Sequence, residues 1–403
     1  MKTQFLPLLL LLLPFQAQAA WSWHFAEPIA VTDEPKTGVF HHLDSAGRKN
    51  IALSGNRVAV TWEDNRDGRP RVYAGSKSID ASTFDSPTLI SGEGDAYEPA
   101  IAGLGEGRFA LVWEEDNAVF ARIFEPNRLG PSIKLSTRAA GHISVDAWNG
   151  QAYAAWRERQ AAHPAIHVSQ LRANEAGKLS ASQPLAVEFA DSGAPQLYPS
   201  IAVGASGLAL AWEDRRAGHT RLLYSHSRDG RQFSPPGELN EFLSNRNAYD
   251  KGNGVTRVAL ARFGDSEVAA VWMDKRRSGK GYAIYASLGS EGGKSYGPNE
   301  RVQGSRGDEL PHYNPAVAGN SDGAFVVAWD DYRNGTSDIW LSDFEDLAWS
   351  DDFAPPPASG PGEQSNPSIA MDDEGGIHLV WIERSDMGEP TRIWYAPATA
   401  EEM

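Results

Sequence analysis

Seven short apolar strands in this chain end in a tryptophan, and each tryptophan is followed two residues later by an acid. The pairs are Trp62/Asp64, Trp113/Glu115, Trp156/Glu158, Trp212/Asp214, Trp272/Asp274, Trp329/Asp331 and Trp381/Glu383. Four of them add an arginine two residues further on: Arg66, Arg216, Arg276 and Arg333. Successive tryptophans stand roughly 43 to 60 residues apart, the period of a four-stranded propeller blade. The unit is clearest from Pro315 to Phe344. There the apolar run Ala324–Trp329 is flanked by a strand at Pro315–Ala318 and another at Asp338–Leu341, with polar turns between them. First strands are expected to begin near Ile51, Ile101, Ser144, Ile201, Val258 and Ile369 in the other repeats. No stretch after the leader carries a sustained helical period.

The last repeat stops after its third strand, near Ala396, while Phe25–Val31 resembles an outer fourth strand. The two ends are therefore expected to share the seventh blade, which removes the open edge of a linear array. The predicted fold class is all-β: a seven-bladed β-propeller of four-stranded antiparallel blades, its N-terminal strand closing the last blade.

The first residues read as an export leader. Lys2 is followed by leucine at every position from Leu8 to Leu13, and Ala17-Gln18-Ala19 matches a small-x-small cleavage site. The apolar run is shorter than the roughly 20 residues that span a bilayer. The expected division is a signal peptide at 1–19 and one propeller domain at 20–403. The mature chain is expected to carry no integral membrane segment, to be monomeric, and to reside in the periplasm or outside the cell. The chain has no cysteine, which excludes disulfides, thiolate metal sites and cysteine nucleophiles. Its formal net charge of −16 repels phosphate backbones, so nucleic acid is not an expected partner.

The period of two along a strand puts each tryptophan and its acid on one face, toward a neighbouring blade. A residue that serves one bound ligand need not recur in seven blades, whereas one that closes each blade should. The acids are therefore read as structural, accepting hydrogen bonds from loop N–H groups or pairing with the arginine two residues on.

Ser227-Arg228-Asp229-Gly230-Arg231-Gln232-Phe233 follows a third strand, as does Ser78-Ile79-Asp80-Ala81-Ser82-Thr83-Phe84, and Glu291–Tyr296 occupies the same place in the fifth repeat. These resemble degenerate Asp-boxes, the S-x-D-G-G-x-T-W turn of sialidase-like (BNR-repeat) propellers. The likeness covers nearly the whole mature chain and resembles bacterial exported sialidase-like proteins. It implies that Asp80 and Asp229 sit in turns on the face opposite the active site. Catalytic members have six blades, an arginine triad, a tyrosine–glutamate pair and an aspartate acid/base. Their Arg-Ile-Pro signature is absent here. Arg122-Ile123-Phe124 is a partial match inside or beside a third strand, and no catalytic assignment carries over.

In the resembled fold the starts of the first strands converge at one mouth of the central channel. Residues that break the repeat there are the candidate ligand-binding set: His41, His42, Arg48, Tyr97, Glu98, His142, Tyr198, Arg257, His312 and Tyr313, with Asn314 beside them. Tyrosine, histidine and arginine offer a flat surface with a polar end, which suits a sugar or a peptide. The four histidines are of a type that binds zinc or copper, but their spacing forms no local ligand motif. They read as polar lining, with no metal or cofactor assigned. Adjacent residues on a strand point to opposite sides, so Tyr97 and Glu98 are not expected to pair. The loop Ser234–Thr256, with Asn245, Arg246, Asn247, Tyr249, Asp250 and Lys251, is a further binding candidate. The functional expectation is a binding module for a glycan, peptide or partner protein at the channel mouth. Its rivals are a glycoside hydrolase or lyase with a non-standard site, and a scaffold subunit of an envelope or extracellular complex.

Overall fold

The computed structural model describes residues 21–160, 162–188, 192–242, 254–276, 281–304 and 310–402. The proposed leader and the centre of the Ser234–Thr256 loop, including Asn245 to Lys251, lie outside the described residues.

Seven antiparallel sheets, each a blade built outward from its first strand, surround a central axis. Blade 4 shows the plan: Gln196–Gly204, Gly207–Asp214, Arg221–Ser227 and the short outer Gly237–Glu238 pair in order. Blade 7 contains Glu363–Met371, Ile377–Arg384 and Arg392–Glu402. Its outer edge is supplied by Trp21–Phe25 and Ile29–Ala30, so the chain ends share one sheet as expected. First strands touch their neighbours all the way round, blade 7 meeting blade 1. The single helical turn among the described residues, Pro356–Ala358, lies in the proline-rich connection between blades 6 and 7.

The seven tryptophans are buried, none more than 1% exposed. Six of their indole N–H groups donate to the acid two residues on, at 2.8 Å in Trp62/Asp64 and 3.3 Å in Trp212/Asp214. In blade 7 the Trp381 Nε1 has no acceptor among the described residues. The acids also take loop N–H groups: Glu115 accepts from Gly92 and Gly94, and Glu158 from Thr137 and Arg138. Where an arginine follows, it closes on the acid, and in blades 1, 5 and 6 it also lies over an aromatic ring of the third strand. Arg276 is 4.0 Å from the Tyr285 ring centre and Arg333 is 3.7 Å from that of Trp340. These acids are blade closures.

The chain leaves each third strand on the face opposite the first-strand starts. There Asp229 Oδ1 accepts from the Arg231 and Gln232 N–H groups, and Ser227 Oγ accepts from the Gly230 N–H. The glycine takes a φ of 72°, which a side chain would resist. Asp229 is thus a turn residue. Arg122 lies in the third strand of blade 2, bonding the carbonyls of Gly130 and Ile90 far from the channel.

Candidate functional site at the channel mouth

The first strands begin several residues earlier than their apolar runs suggest: at Ala96, Ala140, Gln196, Val255, His312 and Glu363. Each contains a bulge opposite the tryptophan of its neighbouring strand. At the bulge one residue is left-handed: Glu98 (φ 46), His142 (φ 52), Tyr198 (φ 48), Arg257 (φ 58), Asn314 (φ 55) and Asn366 (φ 55). Blade 1 supplies Arg48 (φ 55) from an insertion that splits its first strand into His41–His42 and Ile51–Ser54. Every blade therefore contributes one non-glycine residue in a conformation that costs on the order of 1–3 kcal/mol and clusters at functional sites. Bulges re-aim side chains, and here all seven turn toward the same channel mouth.

What holds these residues is the side chain after each tryptophan. Glu63 accepts the backbone N–H of Glu98, and Glu114 that of His142. Glu213 accepts the N–H of Arg257 (3.0 Å), Met273 Sδ that of Asn314 (3.4 Å), and Asp330 that of Asn366 (2.8 Å). Each clasp crosses from one blade to the next. Two seams lack it. At blades 3 and 4 the position is Arg157, and the Tyr198 N–H turns to His142 Nδ1 at 3.4 Å. At blades 7 and 1 it is Ile382, and the Arg48 N–H bonds Ser45 within its own loop.

The side chains of the ring meet one another. The His142 and Tyr198 rings stack 3.8 Å apart, 6° from parallel. Arg257 covers Tyr198 at 4.1 Å and reaches Asp44 at 3.6 Å. Asp44, in the blade 1 insertion, also faces Arg48 at 3.9 Å. Arg48 donates to Asn314, which donates to Asp330 and to Asn366, both at 2.7 Å. Several buried polar atoms of this cluster make no hydrogen bond among the described residues: Glu98 Oε2, Asp44 Oδ1, Arg157 Nε and Arg257 Nη1.

The cluster is electrically unusual. Burial, then the charges of Asp44 and Glu98, push the Glu63 carboxyl up to about 8. Burial and the charge of Asp44 raise Glu98 to about 7 against the pull of Arg257. Burial lifts Asp330 to about 7 although Arg48 and Asn314 oppose it. Burial and then Arg157 and Arg257 lower His142 to about 3, so its imidazole is neutral at physiological pH. Such shifts concentrate where carboxyl and imidazole groups exchange protons with a ligand.

Of the candidate residues, Arg48, Glu98, His142, Tyr198 and Arg257 come together in the ring. Tyr97, 37% exposed, flanks Glu98 on the rim. Tyr313 flanks Asn314 and packs edge-on, at 6.0 Å each, against Tyr282 and Tyr332, so blades 5 and 6 present three tyrosines. His41 and His312 lie outside the ring. His312 Nε2 is 3.1 Å from Asp331 Oδ2, and His41 bonds Thr391 and lies 3.8 Å from Asp64. His42 lines a cavity at the seam of blades 7 and 1. The histidines do not converge, and no group of three metal-ligating side chains occurs among the described residues.

The sequence reading passed over Asp44, Asn366 and the residues after the tryptophans. The usable signal was the position itself: acids at Glu63, Glu114, Glu213 and Asp330, replaced by Arg157, Met273 and Ile382 in other repeats. Below the mouth the first strands line a channel of about 260 Å³, where Lys49 and Asp146 face each other at 3.9 Å.

No protein-family profile matches the chain, and no curated protein matches it in sequence. Solved structures do share its fold. A protein of unknown function from Dyadobacter fermentans aligns over 94% of this chain and 99% of its own, at 13% identity and a TM-score of 0.57. A polysaccharide lyase aligns over 87% of this chain and 89% of its own, at 10% identity and a TM-score of 0.53. An alpha-L-arabinanase from Penicillium chrysogenum, solved with arabinobiose, aligns over 92% and 98%, at 12% identity and a TM-score of 0.51. Among the described residues no helix is long and apolar enough to cross a membrane.

Proposed function

We propose that this chain is an exported glycan-binding propeller that holds a saccharide at the channel mouth. The observation that carries the reading is the ring of seven left-handed residues, one per blade, with five different side-chain types on one backbone geometry. Stacked His142 and Tyr198 and the tyrosines of blades 5 and 6 supply faces for sugar C–H groups. Arg157 Nε and Glu98 Oε2 are buried with no hydrogen-bond partner among the described residues, and Asp44 and Arg257 meet in a long ion pair that leaves them able to bond a ligand. Two of the structural neighbours named above are enzymes of polysaccharides, which supports the choice of a glycan over a peptide. Export rests on the leader at residues 1–19.

A second reading, cleavage of the bound glycan by hydrolysis or elimination, is favoured by Glu98. A carboxyl held near 7 is protonated for a useful fraction of molecules at neutral pH and suits a general acid. The finer likeness to sialidases adds no catalytic residue to this reading.

Screening the mature protein on a glycan array, followed by calorimetry on the strongest binder, tests the proposal. Saturable binding that Arg257→Ala abolishes without loss of fold supports it. Absence of binding to any glycan contradicts it. Product formation from the bound polysaccharide, lost in Glu98→Gln while binding persists, selects the enzymatic reading.

A further inference from the structure

The seam between blades 7 and 1 combines two features that no other seam has together: it lacks the clasp, as the seam of blades 3 and 4 does, and its first strand is broken. Ile382 stands where an accepting side chain would clasp the next blade, so the lateral strap seen at Glu63, Glu114, Glu213, Met273 and Asp330 is missing. The first strand of blade 1 is also interrupted. His42 pairs with Glu63 and Ile51 with Val60, so residues 43–50 face only Thr61 and Trp62. The insertion swings inward, burying Leu43 and Ala46 and delivering Asp44 and Arg48 to the mouth. Beside the break lies a cavity of about 510 Å³, within the range of small-molecule sites. Phe40 and Ile382 give it apolar walls, and His42, Glu63 and Asn366 give it polar edges.

Two of those edges belong to the ring as well. Asn366 is bonded to Asn314, which Arg48 contacts. Glu63 clasps Glu98 and is within electrostatic reach of Asp44. The cavity therefore adjoins the mouth through shared side chains. The geometry points to a second saccharide subsite here: the ligand is an oligosaccharide that occupies the ring with one unit and runs outward through the blade 7–blade 1 seam with the next. An apolar wall with a hydroxyl-bonding rim is the surface a sugar ring presents in complement. A flat aromatic or a lipid tail would leave the edges of Glu63, Asn366 and His42 unpaired, at a cost.

This inference rests on the glycan reading of the mouth, and the experiment separates the two. The glycan selected on the array is used as a homologous series of one to five units, with affinity measured by calorimetry. The expected result is a rise of at least about tenfold between the monosaccharide and the trisaccharide. His42→Ala, a change at an exposed side chain, is expected to shrink the trisaccharide-to-monosaccharide ratio with an unchanged unfolding midpoint. Arg257→Ala is expected to weaken every length alike. Binding that is independent of length, or a ratio unmoved by both His42→Ala and Phe40→Ala, overturns the second subsite and leaves the mouth intact. A glycan array without any binder removes the mouth reading and this subsite with it.

Discussion

The tryptophans between the blades and the left-handed residues at the mouth occupy facing positions of the same strand pairs, yet they differ in every other respect. The tryptophan ring repeats a buried indole with an acid two residues on in all seven blades, and in six of them the indole donates to that acid, which also gathers loop N–H groups. The mouth ring repeats a backbone conformation and changes the side chain from arginine to glutamate, histidine, tyrosine and asparagine. Uniform side chains serve packing, which every blade needs. Varied side chains on uniform backbone serve a single ligand that meets each blade from a different direction. At five of the seven seams the residue after the tryptophan couples the two, because its side chain holds the next blade's strained residue in place.

The contrast is broken most forcefully at the uniform ring. Trp272→Ala removes a fully buried indole between blades 4 and 5, and a loss of about 3–5 kcal/mol is expected in denaturant unfolding. A stable Trp272→Ala protein would mean that the blades are held by something else.

The acids sharpen the comparison within that ring. Burial alone would raise the Asp331 carboxyl, but contacts with His312 and Arg333 outweigh it and hold the group well below the usual range. Asp331→Ala leaves Arg333 buried with half its partners gone and should cost about 3 kcal/mol. Glu383→Ala, in the one blade whose indole finds no acceptor, should cost less than about 1 kcal/mol. Equal losses in the two variants would show that the indole–acid bond is not what stabilises the closure.

A smaller effect is expected from pH, and it belongs to the mouth. Folding raises Glu63 to about 8 and Glu98 and Asp330 to about 7. The native state thus binds more protons than the unfolded one. The associated stability is complete below the ordinary carboxylate range and is lost as pH climbs through 7 to 8. His41 and His142, lowered to about 4 and 3, and His42, His167 and His378, also lowered by burial, act in the opposite direction, and that effect fades above about pH 7, where their imidazoles are mostly neutral even in the unfolded chain. The unfolding midpoint should therefore fall between about pH 7 and about pH 9, and the double variant Glu63→Gln, Glu98→Gln should flatten the slope. A midpoint that rises over this interval would contradict the buried-carboxyl account of the mouth.

Much of this was readable before any coordinates. The seven Trp–acid pairs marked the blades, and the apolar segment at Phe25–Val31 marked the closure of blade 7. Arg48, Glu98, His142, Tyr198 and Arg257 were visible as breaks in the repeat. The conformation at those places was not. Glu98, Tyr198, Asn314 and Asn366 each precede a proline, a position that favours extended backbone, whereas the bulge makes all four left-handed. That choice depends on an acceptor in the preceding blade, 36 residues away for Asn366 and 56 for Tyr198, which local propensity does not report. Asp44 was hidden for a similar reason: it looks like a loop acid until the broken strand of blade 1 carries it to Arg257.

The most direct test of the central claim measures ligand affinity and unfolding midpoint together for Tyr198→Ala and Arg257→Ala. The account predicts at least about a tenfold loss of glycan affinity, with the unfolding midpoint displaced far less than by Trp272→Ala. Undiminished affinity, or a loss of stability matching that of the tryptophan variant, would show that the ring is one more layer of packing and not the place where the ligand sits.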